Sequence, residues 1–191
     1  MGAALGQAEA YARLGLLQAR VGRWEEARQR YTLALERMRP IGDTFRIAYV
    51  LAGLSEAQVG CKDLEGARAA AEESFLLAQA APQPYALVYV LMAMSLVRQR
   101  MGAGEEALGY AQEAVALSER FEMAEHLARA LVFLYDAQPD HPEALYRALA
   151  IAQKQDIPDL VWRAAHRLGH ALLAEEALAR LEAGWEQGDT A

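Results

Sequence analysis

A single cysteine in 191 residues, Cys61, excludes an internal disulfide framework and a cysteine-built zinc site, and it suits a reducing compartment. Long apolar runs are also missing. The longest, Tyr85 to Val97, is broken by Ser95 and falls short of the roughly 20 residues that a bilayer-spanning helix needs. Met1 to Ala10 lacks the basic start and apolar core of a cleaved leader. Positive charge is in deficit, because 26 acidic residues face 19 basic ones for a net charge of -7, which repels a phosphate backbone unless the basic residues gather on one face. These absences argue against a membrane and against nucleic acid as direct partners, and they point to a cytoplasmic protein. The 54% of hydrophobic residues is nevertheless enough to build a core.

Recognisable catalytic constellations are absent too. Gly102-Ala103-Gly104 has neither the preceding strand nor the lysine of a phosphate loop, and Ser55 and Ser95 lack the flanking glycines of a nucleophile elbow. His166 and His170, four apart, would project from one helix face as two metal ligands do, but the intervening Arg167, Leu168 and Gly169 include no glutamate and no third ligand suggests itself. Cys61 stands beside Lys62, which would lower a thiol pKa, yet it reads as an incidental turn residue. Glu25-Glu26, Glu72-Glu73, Glu105-Glu106 and Glu175-Glu176 read as solvated first-turn carboxylates, with Glu25, Glu105 and Glu175 following turns and meeting the positive end of a helix. The chain is therefore expected to be no enzyme, with no cofactor and no metal site.

What the chain has instead is a repeat. Ala27, Ala67 and Ala107 stand forty residues apart. Leu14, Leu54 and Met94 keep the same step, as do Gly15, Ser55 and Ser95, then Gln18, Gln58 and Arg98, then Ala34, Ser74 and Ala114. A fourth copy follows with a step of 37 through Ala128, Leu131, Val132, Tyr135, Ala144, Ala148 and Ile151. A fainter fifth runs through Val161, Ala164, Ala165, Leu168, Ala177 and Leu181. Within each copy apolar residues recur at steps of three, four and seven, the period of a helix, and alanine and leucine outnumber the β-branched residues that favour sheet.

Turn signals at Val21-Gly22-Arg23, Gly60-Cys61-Lys62-Asp63, Met101-Gly102-Ala103-Gly104 and Gln138-Pro139-Asp140-His141-Pro142 divide the copies internally. Others at Arg39-Pro40-Ile41-Gly42-Asp43, Ala81-Pro82-Gln83-Pro84, Phe121-Glu122 and Asp156-Ile157-Pro158 divide neighbours; proline lacks an amide hydrogen and disfavours helix in the residue before it. The small residues at Gly15, Ser55 and Ser95, and at Ala27, Ala67 and Ala107, predict a close crossing of two helices, with Leu14, Leu54, Met94, Tyr31 and Leu35 filling space on either side. The fold class is all-α, with about ten helices in five antiparallel pairs. They form one array over 1-185, with repeats at approximately 8-43, 44-84, 85-121, 122-158 and 159-185, and a tail over 186-191.

The pattern Tyr11-x-x-Leu14-Gly15-x-x-Gln18, then Ala27-x-x-x-Tyr31-x-x-Ala34, closed by Pro40, resembles the tetratricopeptide repeat (TPR) family. Tyr11 stands where the family commonly has tryptophan, and the unit is a long variant of about 40 residues against the usual 34. Twelve residues between the small residue of the first helix and the alanine of the second keep the TPR register rather than that of HEAT-type repeats. The resemblance implies a right-handed α-solenoid acting as a non-catalytic protein-protein interaction module, an adaptor or scaffold. Similar long repeats occur in kinesin light chains and in bacterial regulators, so the alternative is a sensor or self-assembly domain of a larger bacterial-type transcription regulator.

In that family the first helices of successive copies line a concave groove. Carrying its inward offsets over gives candidate peptide-binding residues Arg13, Arg20, Tyr49, Glu56, Tyr89, Met92, Gln99, Arg100, His126, Arg129, Phe133, Trp162 and Arg163, with Leu16, Ala52, Leu96 and His166 beside them. Arginines mixed with aromatics are enriched in recognition surfaces. The arginines would pair with acidic side chains or a terminal carboxylate while the rings cover apolar groups, and several of the set would instead pack between repeats. The lysine and asparagine of the family's chaperone-tail clamp are replaced by Ala12, Leu16, Tyr49 and Ala52, which disfavours that ligand. The expected partner is thus a protein or peptide. A homo-oligomer is the second class, because Leu172, Leu173, Leu178, Leu181 and Trp185 offer apolar surface on the last helix.

Overall fold

A computed structural model describes residues 2–80 and 83–188, and the side chains of residues 4–80 and 83–184. Ala81, Pro82 and the side chain of Trp185, which the sequence reading invoked, lie outside that set. Ten α-helices are described, in the order α1 (Gly2–Arg20), α2 (Trp24–Met38), α3 (Thr44–Gly60), α4 (Leu64–Ala80), α5 (Pro84–Arg100), α6 (Gly104–Arg120), α7 (Ala124–Ala137), α8 (Glu143–Lys154), α9 (Pro158–Arg167) and α10 (Ala171–Gly188). The described residues contain no strand, and none of their helices is long and apolar enough to cross a membrane. α1 begins upstream of position 8, and α10 includes residues 186 to 188 of the stretch read as a tail.

The forty-residue period reaches down to single backbone angles. Gly22, Lys62 and Gly102 occupy the left-handed region at φ of 77°, 65° and 81°. Each ends the first helix of its pair with the same hydrogen bonds, so that Arg23, Asp63 and Ala103 donate their amides to the carbonyls of Gln18, Gln58 and Arg98 at 2.9 Å. This is the left-handed cap that satisfies otherwise orphaned carbonyls. Between pairs, Arg39–Ile41 form a 3-10 turn, Gly42 is left-handed at φ 77°, and the Asp43 carboxylate caps α3 by accepting from the Arg46 amide at 3.0 Å. The last copies keep the topology with helices of unequal length, 12 residues in α8, 10 in α9 and 18 in α10 against 17 in each of α3 through α6, which shifts the spacing of their repeat.

Each pair closes on small residues, as the spacing predicts. Ala27, Ala67 and Ala107 are fully buried, and Ser95 donates its hydroxyl to the Ala107 carbonyl across the α5–α6 crossing at 2.9 Å. Ser74 on α4 does the same to Ala48 on α3 at 2.7 Å. At Gly15 the close neighbour is a side chain rather than a backbone, for a Cβ there would lie 3.0 Å from the Tyr31 ring. Glu72 and Glu73 prove to be mid-helix residues of α4 that tie it to its neighbours, Glu73 to Arg39 at 2.7 Å and Glu72 to Arg98 at 3.2 Å. Glu175 falls in the second turn of α10, which begins at Ala171, so it does not meet the helix start as expected.

The odd-numbered helices pack on one another in series, α1 on α3, α3 on α5, α5 on α7 and α7 on α9, and form the inner layer. Each even-numbered helix packs on its own partner and, from α2 to α8, on the following odd-numbered one, forming the outer layer. The inner layer is strongly curved, since Arg20 of α1 touches Glu125 of α7 and Glu56 of α3 touches Arg163 of α9.

Candidate functional site on the inner face

The candidate residues fall into three zones along the inner face. At one end Arg13 and Tyr49 line a hollow of about 330 Å³ with Leu16, Phe45, Arg46 and Tyr85. Arg13 is exposed and has no ion partner among the described residues. Beside the hollow Tyr49 meets Tyr89 edge-on at 4.7 Å between centroids, and His126 lies against Tyr85 at 4.2 Å and Tyr89 at 5.3 Å. His126 is buried, its Nε2 has no hydrogen-bond partner, and burial holds its pKa below the ordinary histidine value. It is a packing residue of this ring cluster rather than an open contact.

The middle zone is sealed by charge. Arg129 Nη1 lies 3.0 Å from Asp159 Oδ2, and its Nη2 lies 3.1 Å from Glu125 Oε1. Arg20 Nη2 reaches the same Glu125 oxygen at 3.1 Å, and its Nε faces Asp159 Oδ2 at 3.9 Å. Asp159 and Arg129 are 1% and 7% exposed, so this pair is withdrawn from solvent. Burial opposes the charge on Arg129, but Tyr89, Asp159 and Glu125 more than offset it and raise its pKa. Asp159 also sits in the first turn of α9, where free amides favour a carboxylate. Tyr89, Met92, Phe133 and Arg163 complete a central slot whose free volume of about 30 Å³ admits little beyond a water molecule. Arg129 therefore serves the protein's own carboxylates.

The third zone is an open basin of about 480 Å³, lined by Arg20, Glu56, Arg100, Phe133, Trp162 and Arg163 of the candidate set. Trp24, Lys62, Asp136, Arg167, Leu178 and Leu181 join them. Five cationic side chains and two carboxylates line it, but Arg20 is paired with Glu125, Arg163 with Glu56 and Arg167 with Asp136, which leaves the two positive charges of Arg100 and Lys62 uncompensated in a chain whose net charge is -7. Arg167 is held bidentately by Asp136 at 2.6 and 2.7 Å, whereas Arg100 is exposed and, like Lys62, has no ion partner among the described residues. Gln99 donates its side-chain amide to the Asp136 carbonyl and so braces the wall rather than facing the basin.

Sequence reasoning missed Asp159, Glu125, Asp136, Arg167 and Trp24. The four-residue spacings Glu125 to Arg129 and Arg163 to Arg167 mark faces of one helix, but nothing in a spacing relates Arg20 to a glutamate 105 positions away. The histidine pair is corrected. α9 ends at Arg167 and Gly169 turns the chain at φ 73°, so His166 stacks on Trp162 while His170 lies beside Tyr146. Among the described residues no cluster of three or more His, Cys, Asp or Glu is placed to hold a metal ion. Cys61 donates to Glu25 at 3.5 Å, and burial together with that carboxylate pushes its thiol pKa up, which removes the activation that Lys62 suggested.

Stacked antiparallel helix pairs with a curved inner layer define a helical-repeat solenoid. More narrowly, it is a TPR-like one, and solved structures share its fold. A Rap protein complexed with Competence and Sporulation Factor is similar with a TM-score of 0.71 and 19% identity, over 94% of this chain and 55% of that one. BtubC (BKLC) from P. vanneervenii is similar at 0.61 with 17% identity, over 96% of this chain and 82% of its own. A putative kinesin light chain from Podosopora anserina with nearly identical TPR-like repeats is similar at 0.50 with 17% identity, over 96% of both chains. The chain thus spans 55% of the length of the Rap protein. No protein-family model and no curated protein matches the sequence.

Proposed function

We propose that the protein is a non-catalytic interaction module whose helix pairs act as one array and whose inner face holds a peptide or an extended protein segment, mainly in the basin at the Arg100 end. The observation that carries this reading is the basin itself, about 480 Å³ of open space with a positive surplus and the rings of Trp24, Phe133 and Trp162 on its wall. Its volume falls within the range of ligand pockets, and its charged groups stand among apolar ones. The fold likeness to a Rap protein solved with Competence and Sporulation Factor supports the same reading. The upper hollow with Arg13 and Tyr49 offers a second, smaller contact for a longer segment.

The test is an affinity pull-down from cell extract with the intact chain and an Arg100→Glu, Lys62→Glu variant of unchanged helicity. Both residues are exposed and without ion partners among the described residues, so the reversal leaves the internal pairs alone. A partner retained by the intact chain only supports the basin; equal retention removes it. The second reading, the sensor or self-assembly portion of a larger regulator, is favoured by Leu172, 78% exposed, and Leu178 on the last helix. Concentration-independent monomers in light scattering would exclude constitutive assembly.

A further inference from the structure

The guanidinium that separates the slot from the basin is served poorly in the free protein. Arg163 lines both spaces, yet its two terminal nitrogens share one oxygen of Glu56 at 3.4 Å each, the outer limit of a hydrogen bond. Its Nε is buried with no acceptor at all. Arg167, one turn along the same helix, shows the contrast, with both prongs of its fork on the Asp136 carboxylate. Glu56 keeps about a quarter of its side chain in solvent, at 26% exposure, so it can leave Arg163 without becoming a buried lone charge. Two cations that lack ion partners among the described residues, Arg100 and Lys62, lie on the same basin.

On the reading that the inner face is a peptide site, we infer that Glu56 is a stand-in for a ligand, and that a carboxylate of an acidic peptide displaces it from Arg163. The peptide's remaining negative charge falls to Arg100 and Lys62, and its apolar side chains to Trp162 and Phe133. Charge decides the class. A surplus of two positive charges, joined by Arg163 once Glu56 leaves it, matches a short segment with a few carboxylates, whereas a long polyanion meets the net charge of -7 elsewhere on the chain. Displacement also releases the tie between α3 and α9, so the occupied array is less tightly held across its inner face than the empty one.

A random peptide library is selected against the wild type and against Glu56→Gln, Arg163→Gln and Arg100→Gln, and the best peptide and its amide counterpart, with Asn for Asp and Gln for Glu, are titrated by fluorescence anisotropy. Peptides rich in Asp or Glu are expected from the wild type. Glu56→Gln, which no longer competes, binds the best one about tenfold tighter, and Arg163→Gln binds it at least about tenfold more weakly. Arg100→Gln, which breaks no internal pair, loses about threefold and decides the matter if Glu56→Gln fails to fold. Selected peptides without acidic preference, or no gain in a folded Glu56→Gln, overturn the displacement while leaving a peptide site on the inner face. Equal binding of the amide counterpart, with inorganic phosphate competing at Arg163, overturns it in favour of a phosphate site. No enrichment on any form sinks the inference and the peptide reading together.

Discussion

Gly53→Ala tests the packing where two opposing effects differ in sign. Gly53 lies inside α3, and exchanging an interior helical glycine for alanine ordinarily stabilises by about 1 kcal/mol. Its neighbour is Tyr31, 2% exposed, whose ring lies between α3 and α1. A methyl group on Gly53 would stand 2.6 Å from Tyr31 Cζ and 2.8 Å from the hydroxyl oxygen, against the roughly 3.5–4.0 Å of a relaxed carbon contact. The ring would have to retreat by about 1 Å, and Gly15 blocks the way, since a Cβ there would already be 3.0 Å from the same ring. Overpacking of this kind costs about 1–3 kcal/mol, so the net expectation is a loss of up to about 2 kcal/mol after the propensity gain of about 1 kcal/mol. For a domain of this size that lowers Tm by up to about 8 °C, read by circular dichroism at matched concentration. Gly109→Ala is the control, for Gly109 is exposed on α6 with nothing within 4 Å, and it should gain stability. Adding Tyr31→Ala should cancel the Gly53→Ala penalty in a double-mutant cycle. If Gly53→Ala stabilises as Gly109→Ala does, the ring does not occupy the space between α1 and α3, and this account of the first two repeats fails.

Three further outcomes are expected. Asp159→Ala, which takes from the buried Arg129 the more deeply buried of its two carboxylate partners and leaves it Glu125 alone, should cost about 3 kcal/mol in denaturant unfolding and respond little to salt, while Glu73→Ala at the exposed Arg39 pair should stay within about 1 kcal/mol. Lys62→Gly should stabilise by about 0.5–1 kcal/mol, because Lys62 holds at φ 65° the conformation that Gly22 and Gly102 adopt freely; no gain would mean that the turn relaxes to suit the lysine. His126 has a depressed pKa in the fold, so the unfolded chain binds its proton more readily. Its contribution is complete above the ordinary value of about 6.5 and is lost as pH falls through the folded value, so the unfolding midpoint of the wild type should drop more than that of His126→Phe between pH 7.5 and 5.5. Parallel pH curves would refute it.

The alanine period at 27, 67 and 107 already specified helix pairs and their crossing, because the contacts it encodes lie within one repeat and the same small volume is needed each time. Even Lys62 was legible in hindsight, standing one period from Gly22 and from Gly102 in the same cap. The inner face was half legible. Most of the inward offsets fall on its cavities, but Gln99 and His126 do not, and no offset told that Arg129 and Arg20 would be consumed by Glu125 and Asp159, since that pairing depends on the curvature of the whole array. A radius is a property of accumulated small rotations between repeats and leaves no trace in any one of them.

The ties from α1 to α7 and from α3 to α9 set this array apart from a stack whose units know only their neighbours. Stacks of that kind gain or lose a unit at little cost, by duplication or deletion in the gene. Here an extra helix pair inserted between Gly60 and Glu125 would carry Arg20 past its glutamate and Glu56 past its arginine, leaving half-buried guanidinium groups without their carboxylates. The number of repeats between α1 and α9 is thereby counted by the protein itself, and a change in copy number breaks both ties at once.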